Sequence, residues 1–169
     1  MSDVQIHTTR LDPTANEALM AIANAGAAAF GYTAELTLDD RLAQLLRLRV
    51  AQINNCTYCL NVHYGAARDR GVPQAKIDFL TAWWETRLFS DAERAALEYA
   101  EALTRASDTT VTQAFQQYHD KLTAHFDEEA MLEIVAVVVN MNIWTRLKLA
   151  EGAMPSLGEP PAAPDALQA

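Results

Sequence analysis

Apolar residues recur at helical spacing through most of this chain, and no run alternates apolar with polar as a half-buried strand would. The pattern predicts about seven helices. Asn16 to Phe30 is Ala-rich and closed by Gly31. Thr37-Leu38-Asp39-Asp40 sets a capping Thr three residues before an acid and opens a second helix, which carries Leu42, Leu45, Leu46, Leu48, Val50 and Ile53 up to Asn54-Asn55. A third runs from near Cys56 to Arg70, where Gly71 is the stop signal. Pro73 starts the fourth, which reaches Thr86 with Ile77, Leu80 and one of Trp83 and Trp84 inward. Ser90-Asp91-Ala92-Glu93 is a capping-box sequence for the fifth, Asp91 to Arg105, whose apolar face is Ala95, Ala96, Tyr99 and Leu103. Thr110 to Phe126 is the sixth. Asp127-Glu128-Glu129 opens the seventh, which runs to about Ala150 and is apolar nearly all round from Ile134 to Val139. A helix apolar on every side is expected to be buried on every side, which in a chain this small points to neighbouring subunits for part of the cover.

The ends read differently. Val4 to Leu11 has the pattern of a short extended arm ended by Pro13. After Gly152 the chain turns to Pro155, Pro160, Pro161 and Pro164 among Ala, Ser and Gly, the composition of a disordered tail. The expected organisation is one all-helical domain over residues 1–150 and a Pro/Ala-rich tail over 151–169. A length of 169 residues supports one domain with a good core and falls short of two.

Composition removes several functions. Half the residues are hydrophobic and 21% are charged, as in a globular protein; the net charge is -9 and no Lys/Arg stripe appears, so nucleic acid is not an expected partner. Met1 to Pro13 lacks the basic-then-apolar order of a secretory signal. The run Ile134 to Val139 is too short to span a bilayer, so no membrane association is expected and the anticipated location is cytoplasmic. In a reducing compartment a close cysteine pair reads as catalytic, redox-sensing or metal-binding rather than structural.

Both cysteines of the chain lie in Asn54-Asn55-Cys56-Thr57-Tyr58-Cys59-Leu60-Asn61-Val62-His63. The thiolate is the reactive form of cysteine, and two features favour it. Cys56 is expected at the positive N-terminal end of the third helix. His63, one turn beyond Cys59, can act as its base, and Tyr58 can add a hydrogen bond. Once one sulfur attacks a peroxide or a disulfide, the other resolves the product into an intramolecular disulfide that an outside dithiol must reduce. The dipole favours Cys56 as attacker and the histidine favours Cys59. For a peroxide the reading leans to Cys59, since a base within reach also returns a proton to the leaving oxygen, while Cys56, nearer the loop, faces the reductant. Zinc is the competing use, but Cys56, Cys59 and His63 supply three ligands where a structural site takes four. His7, His119 and His125 have no such partner and are expected at the surface, and Trp83, Trp84 and Trp144 in the core or an interface.

The stretch Leu48 to His63, followed by Ala66-Ala67-Arg68 and Gly71, resembles the core of the carboxymuconolactone decarboxylase superfamily, and its Cys-x-x-Cys-x-x-x-His pattern resembles the AhpD-like alkylhydroperoxidase branch. The likeness extends through Glu93-Arg94-Ala95-Ala96-Leu97 and Asn142-Ile143-Trp144-Thr145-Arg146, over roughly residues 15 to 150. It implies an all-α, AhpD-like helical bundle, homo-oligomers of trimer or hexamer type, and peroxidase or disulfide reductase activity of Cys56 and Cys59 with His63. The thiol chemistry needs no bound metal, haem or flavin, and the resemblance implies electrons from an external lipoamide-type dithiol, with a peroxiredoxin disulfide as a partner in some members. The family usually places a glutamate twelve residues before the first cysteine to complete a proton relay, and here that position is Gln44. An amide orients but takes up no proton at neutral pH, so a weaker peroxidase is expected. The other readings are a non-catalytic redox sensor or disulfide exchanger on the same fold, and a lactone decarboxylase, whose chemistry needs no cysteine pair.

Overall fold

A computed structural model describes residues 10–155, and among them there are eight α-helices, two 3-10 segments and no strand. The extended arm expected at Val4 to Leu11 and the tail expected at 151–169 fall almost wholly outside this range. The helices are α1 (Glu17–Phe30), α2 (Asp40–Ile53), α3 (Thr57–Asp69), α4 (Gln74–Phe79), α5 (Asp91–Thr104), α6 (Thr109–Gln113), α7 (Phe115–Thr123) and α8 (Glu128–Glu151).

The centre of the molecule is α2, every residue of which from Leu42 to Ala51 is buried, beneath α3, α5 and α8. Leu45, Leu46 and Leu48 are wholly inside, and each contributes roughly 2 kcal/mol by leaving water. Arg47 and Arg49 are buried in the same stretch. Full burial within the single chain belongs to α2. On α8, Ile134, Val137, Val138 and Met141 face the core, whereas Leu132 and Val139 are 62% and 48% exposed in the single chain. Its length and hydropathy would also suffice to cross a membrane, a test that core helices pass as well.

Three local expectations are corrected. Asp39, not Thr37, caps α2, accepting from the N–H groups of Arg41 and Leu42 at 3.0 Å. The Thr37 backbone and hydroxyl and the Leu38 N–H all donate instead to the Glu133 carboxylate of α8, at 2.7–3.0 Å. The expected fourth helix ends at Phe79 and passes into a 3-10 segment, Leu80–Glu85, that breaks at Ala82. The break turns Trp83 inward, so that its indole N–H donates to Glu101 at 2.7 Å, and leaves Trp84 outside. The expected sixth helix is divided at Ala114 into α6 and α7. Its opening, Thr109-Thr110-Val111-Thr112, is four β-branched residues with poor helix propensity. The capping box at Ser90 and Glu93 is present as expected, both halves formed.

Candidate active site

The turn between α2 and α3 sets up the cysteine pair. Asn54 ends α2, its side chain donating to the Val50 carbonyl at 3.0 Å and to Asn142 of α8 at 3.1 Å. Asn55 takes a left-handed φ of 51°, which asparagine tolerates better than most residues. That reversal lets the Cys56 N–H donate back to the Ala51 carbonyl at 3.2 Å and makes Cys56 the N-cap of α3. Its sulfur accepts from the Cys59 N–H at 3.3 Å. The two cysteines form a disulfide with Cα atoms 5.2 Å apart. The helix-terminus position expected for Cys56 is thus met by a direct N–H contact to its sulfur, the partner a thiolate there would keep.

A cavity of about 370 Å³ opens over the pair, walled by the end of α1, by α2, by α3 and by α8. Cys59 and His63 line it, side by side on one face of α3, whereas Cys56 does not. Cys56 and Cys59 are both buried, 1% and 4% exposed. The cap tucks the Cys56 sulfur under the first turn.

His63 is 6% exposed, with its ring edge-on to Tyr32 at 5.9 Å and its Nδ1 without a partner. Burial, reinforced by the charge of Arg47, pushes its pKa down to about 4, so near neutral pH the ring is uncharged. Arg47 is 2% exposed and lines the same cavity. Burial is the main cause of a pKa lowered to about 10, which still leaves the guanidinium charged. Its Nη2 donates to the carbonyls of Phe30 and Gly31 at 2.9 Å each, the negative end of α1. Residue 31 must be glycine for this, because a Cβ there would collide with the Ala27 carbonyl oxygen.

Gln44 is buried one turn before Arg47 and donates from Nε2 to the Tyr32 carbonyl at 3.2 Å, while its Oε1 has no partner. It therefore meets His63 through the Tyr32 segment. Tyr58 contributes its ring, with the Lys148 ammonium 4.9 Å from the centroid. Lys148 also sits 5.9 Å over Trp144 and pairs with Glu151 at 2.7 Å. Trp144, expected in the core or an interface, lines the cavity, as does Asn140. His125 is exposed as expected, His119 is half-buried against Tyr99, and His7 lies outside the described residues. Among the described residues no three His, Cys, Asp or Glu are grouped to hold a metal.

Sequence reasoning missed Arg47, Asn140 and Lys148. The first two carried a signal: each is a polar residue interrupting the apolar face of a core helix, and such a residue must find a partner or line a cavity.

The family model for the carboxymuconolactone decarboxylase family matches residues 13–102. The protein YdfG of Bacillus subtilis (strain 168) is 32% identical over 121 residues, covering 72% of this chain and 80% of its own. YnjA of Escherichia coli (strain K12) is 34% identical over 113 residues, covering 67% of this chain and 60% of its own. Among solved structures, ATU0492 of Agrobacterium tumefaciens, a protein of unknown function whose name ties it to the antioxidant defence protein AhpD, superposes with a TM-score of 0.74 at 26% identity, over 89% of this chain and 100% of the other. A peroxidase-related protein of Silicibacter sp. TM1040 shares the fold, with a TM-score of 0.63 at 21% identity over 83% and 71% of the two chains.

Proposed function

The chain belongs to the carboxymuconolactone decarboxylase family, in the superfamily that includes AhpD, and we propose that it is a thiol-dependent peroxidase cycling between a Cys56–Cys59 dithiol and disulfide. The observation that carries the proposal is the shared cavity: Cys59 and a neutral His63 line it together, and Cys56 lies bonded behind.

His63 takes the Cys59 proton as the thiolate attacks the terminal oxygen of a hydroperoxide. The O–O bond breaks, Cys59 becomes a sulfenic acid, and the alkoxide leaves with the proton returned by His63. The Cys56 sulfur displaces hydroxide from that sulfenic acid, giving water and the disulfide. A small dithiol of lipoamide type then enters the cavity and attacks the Cys59 sulfur. Cys56 departs as a thiolate beneath the Cys59 N–H, which stabilises the leaving group. The second thiol of the reductant completes the exchange. The net change converts hydroperoxide and dithiol to alcohol, water and cyclic disulfide. Both sulfurs lie below the surface, which favours a small substrate over a protein disulfide. The exposed apolar strip of Leu132 and Val139 is our assigned subunit contact in a homo-oligomer of trimer or hexamer type, and a reducing cytoplasm is the compartment this cycle suits.

The test is steady-state consumption of cumene hydroperoxide with dihydrolipoamide. Wild type turns over, Cys59→Ser is inactive and forms no sulfenate, and Cys56→Ser is inactive in turnover but accumulates sulfenate. Sulfenate in Cys59→Ser would reverse the assignment of the two thiols. No turnover by the wild type, with a disulfide that still forms and is reduced, would favour a disulfide exchanger or sensor.

A further inference from the structure

Among the described residues, five buried side-chain polar atoms have no hydrogen-bond partner, and four of them belong to residues lining this one cavity: Arg47 Nε, His63 Nδ1, Asn140 Oδ1 and Trp144 Nε1. Buried polar groups are almost always paired, and leaving one unpaired costs about 1–3 kcal/mol. All four atoms are themselves shielded from the cavity, so they mark a polar wall around one space rather than the contact points of a ligand. Gly26 belongs to the same design, since a Cβ there would lie 2.9 Å from Asn140 Oδ1.

The charges say which ligand. Among the described residues, Arg47 is a buried cation with no carboxylate within ion-pair distance, in a protein that carries a net charge of -9. Its near neighbour in sequence, Arg49, is buried too but pairs with Glu101 at 2.7 Å. Among the described residues no acid lines the cavity, and the second cation there, Lys148, is already matched by Glu151. The remaining wall includes Val62, Met141 and the rings of Tyr58 and Trp144. We infer that the cavity binds a small organic anion, a carboxylate on an apolar body, whose head pairs with the Arg47 guanidinium. A guanidinium offers only donors, which suits a carboxylate and rejects a cation. The inference deepens the peroxidase reading by giving its substrate an acidic group, and binding can be measured without turnover.

The disulfide form of the full chain is titrated at pH 7.5 by calorimetry with octanoate and, separately, octanamide. Wild type is expected to bind octanoate at least about tenfold more tightly, as a charge-assisted hydrogen bond predicts. Arg47→Gln brings the two ligands within about twofold. Arg47→Lys keeps the charge and is expected to keep a several-fold preference for octanoate; it serves if Arg47→Gln does not fold, and loss of the preference there overturns the inference. Equal affinity for the two ligands in wild type, or no binding of either, overturns the inference. A preference unchanged in Arg47→Gln overturns it as well. So does octanoate indifference together with a Cys59 thiol pKa that rises in reduced Arg47→Gln, for then the guanidinium serves the thiolate. Because the oxidised protein does no chemistry, an inactive peroxidase that still selects octanoate would refute only the catalytic reading.

Discussion

His63 offers a measurement in which one side chain changes the pH dependence of stability. In the unfolded chain an exposed histidine titrates near 6.5; inside the cavity burial, with Arg47 beside it, lowers the pKa to about 4. Above pH 6.5 the ring is neutral in both states and adds no pH dependence. As the pH falls below 6.5 the unfolded chain takes up a proton that the folded one refuses, so stability is lost progressively until the folded pKa is reached. At about 1.4 kcal/mol per unit, the gap is worth about 3 kcal/mol, a large share of the 5–15 kcal/mol typical of a domain. Urea denaturation of the oxidised protein from pH 8 to pH 4 measures it, with His63→Gln as the control. The carboxylates held low by hydrogen bonds, Glu133 and Glu101, also lose stability in acid, but equally in both proteins. The difference between wild type and His63→Gln is therefore flat above pH 6.5 and grows to about 3 kcal/mol toward pH 4. Parallel curves, or a His63 resonance titrating near 6.5 by NMR, would refute the neutral histidine from which the catalytic cycle starts.

Three further perturbations test the frame around the site. Burial raises the pKa of the Glu101 carboxyl, but hydrogen bonds from Trp83 and Arg49 and the charges of Arg49 and Arg105 outweigh it and hold the group ionised. Glu101→Gln leaves Arg49 buried without a counter-charge and should cost about 3 kcal/mol in thermal or urea unfolding, and a loss under 1 kcal/mol would show Arg49 to be satisfied elsewhere. Gln44→Glu places a carboxylate one turn from the unpaired Arg47 and should raise both the His63 pKa and the rate of hydroperoxide consumption; an unchanged or lower rate would mean the amide does not limit turnover. Gly26→Ala should displace the Asn140 amide and lower kcat/KM several-fold with little change in melting temperature, whereas unchanged kinetics would remove Asn140 from the site.

What could be read from the chain was whatever is decided within a turn or two of helix. The Cys-x-x-Cys-x-x-x-His spacing alone puts Cys59 and His63 on one helical face and Cys56 at its start, because side chains four apart on a helix are neighbours whatever surrounds them. The capping box at Ser90 and the stop at Gly71 are local in the same sense. The all-helical class follows from a period repeated over some 130 residues.

Burial is decided by neighbours far away in the chain, and there the sequence was silent or ambiguous. Helix α8 looks the more apolar, yet α2 is the one enclosed, because α3, α5 and α8 close around it. Thr37 carries a capping pattern, but Glu133, 96 residues on, takes its donors. Which tryptophan turned inward depended on Glu101 waiting in α5. The site itself shows the division best. The local motif supplied two sulfurs and an imidazole. Their chemistry is set by Arg47 on α2, the carbonyls at the end of α1, and Asn140 and Trp144 on α8, which only the packed fold brings around one cavity. A pKa depends on the dielectric and the charges within a few ångströms, and those are properties of the tertiary structure rather than of any stretch of sequence.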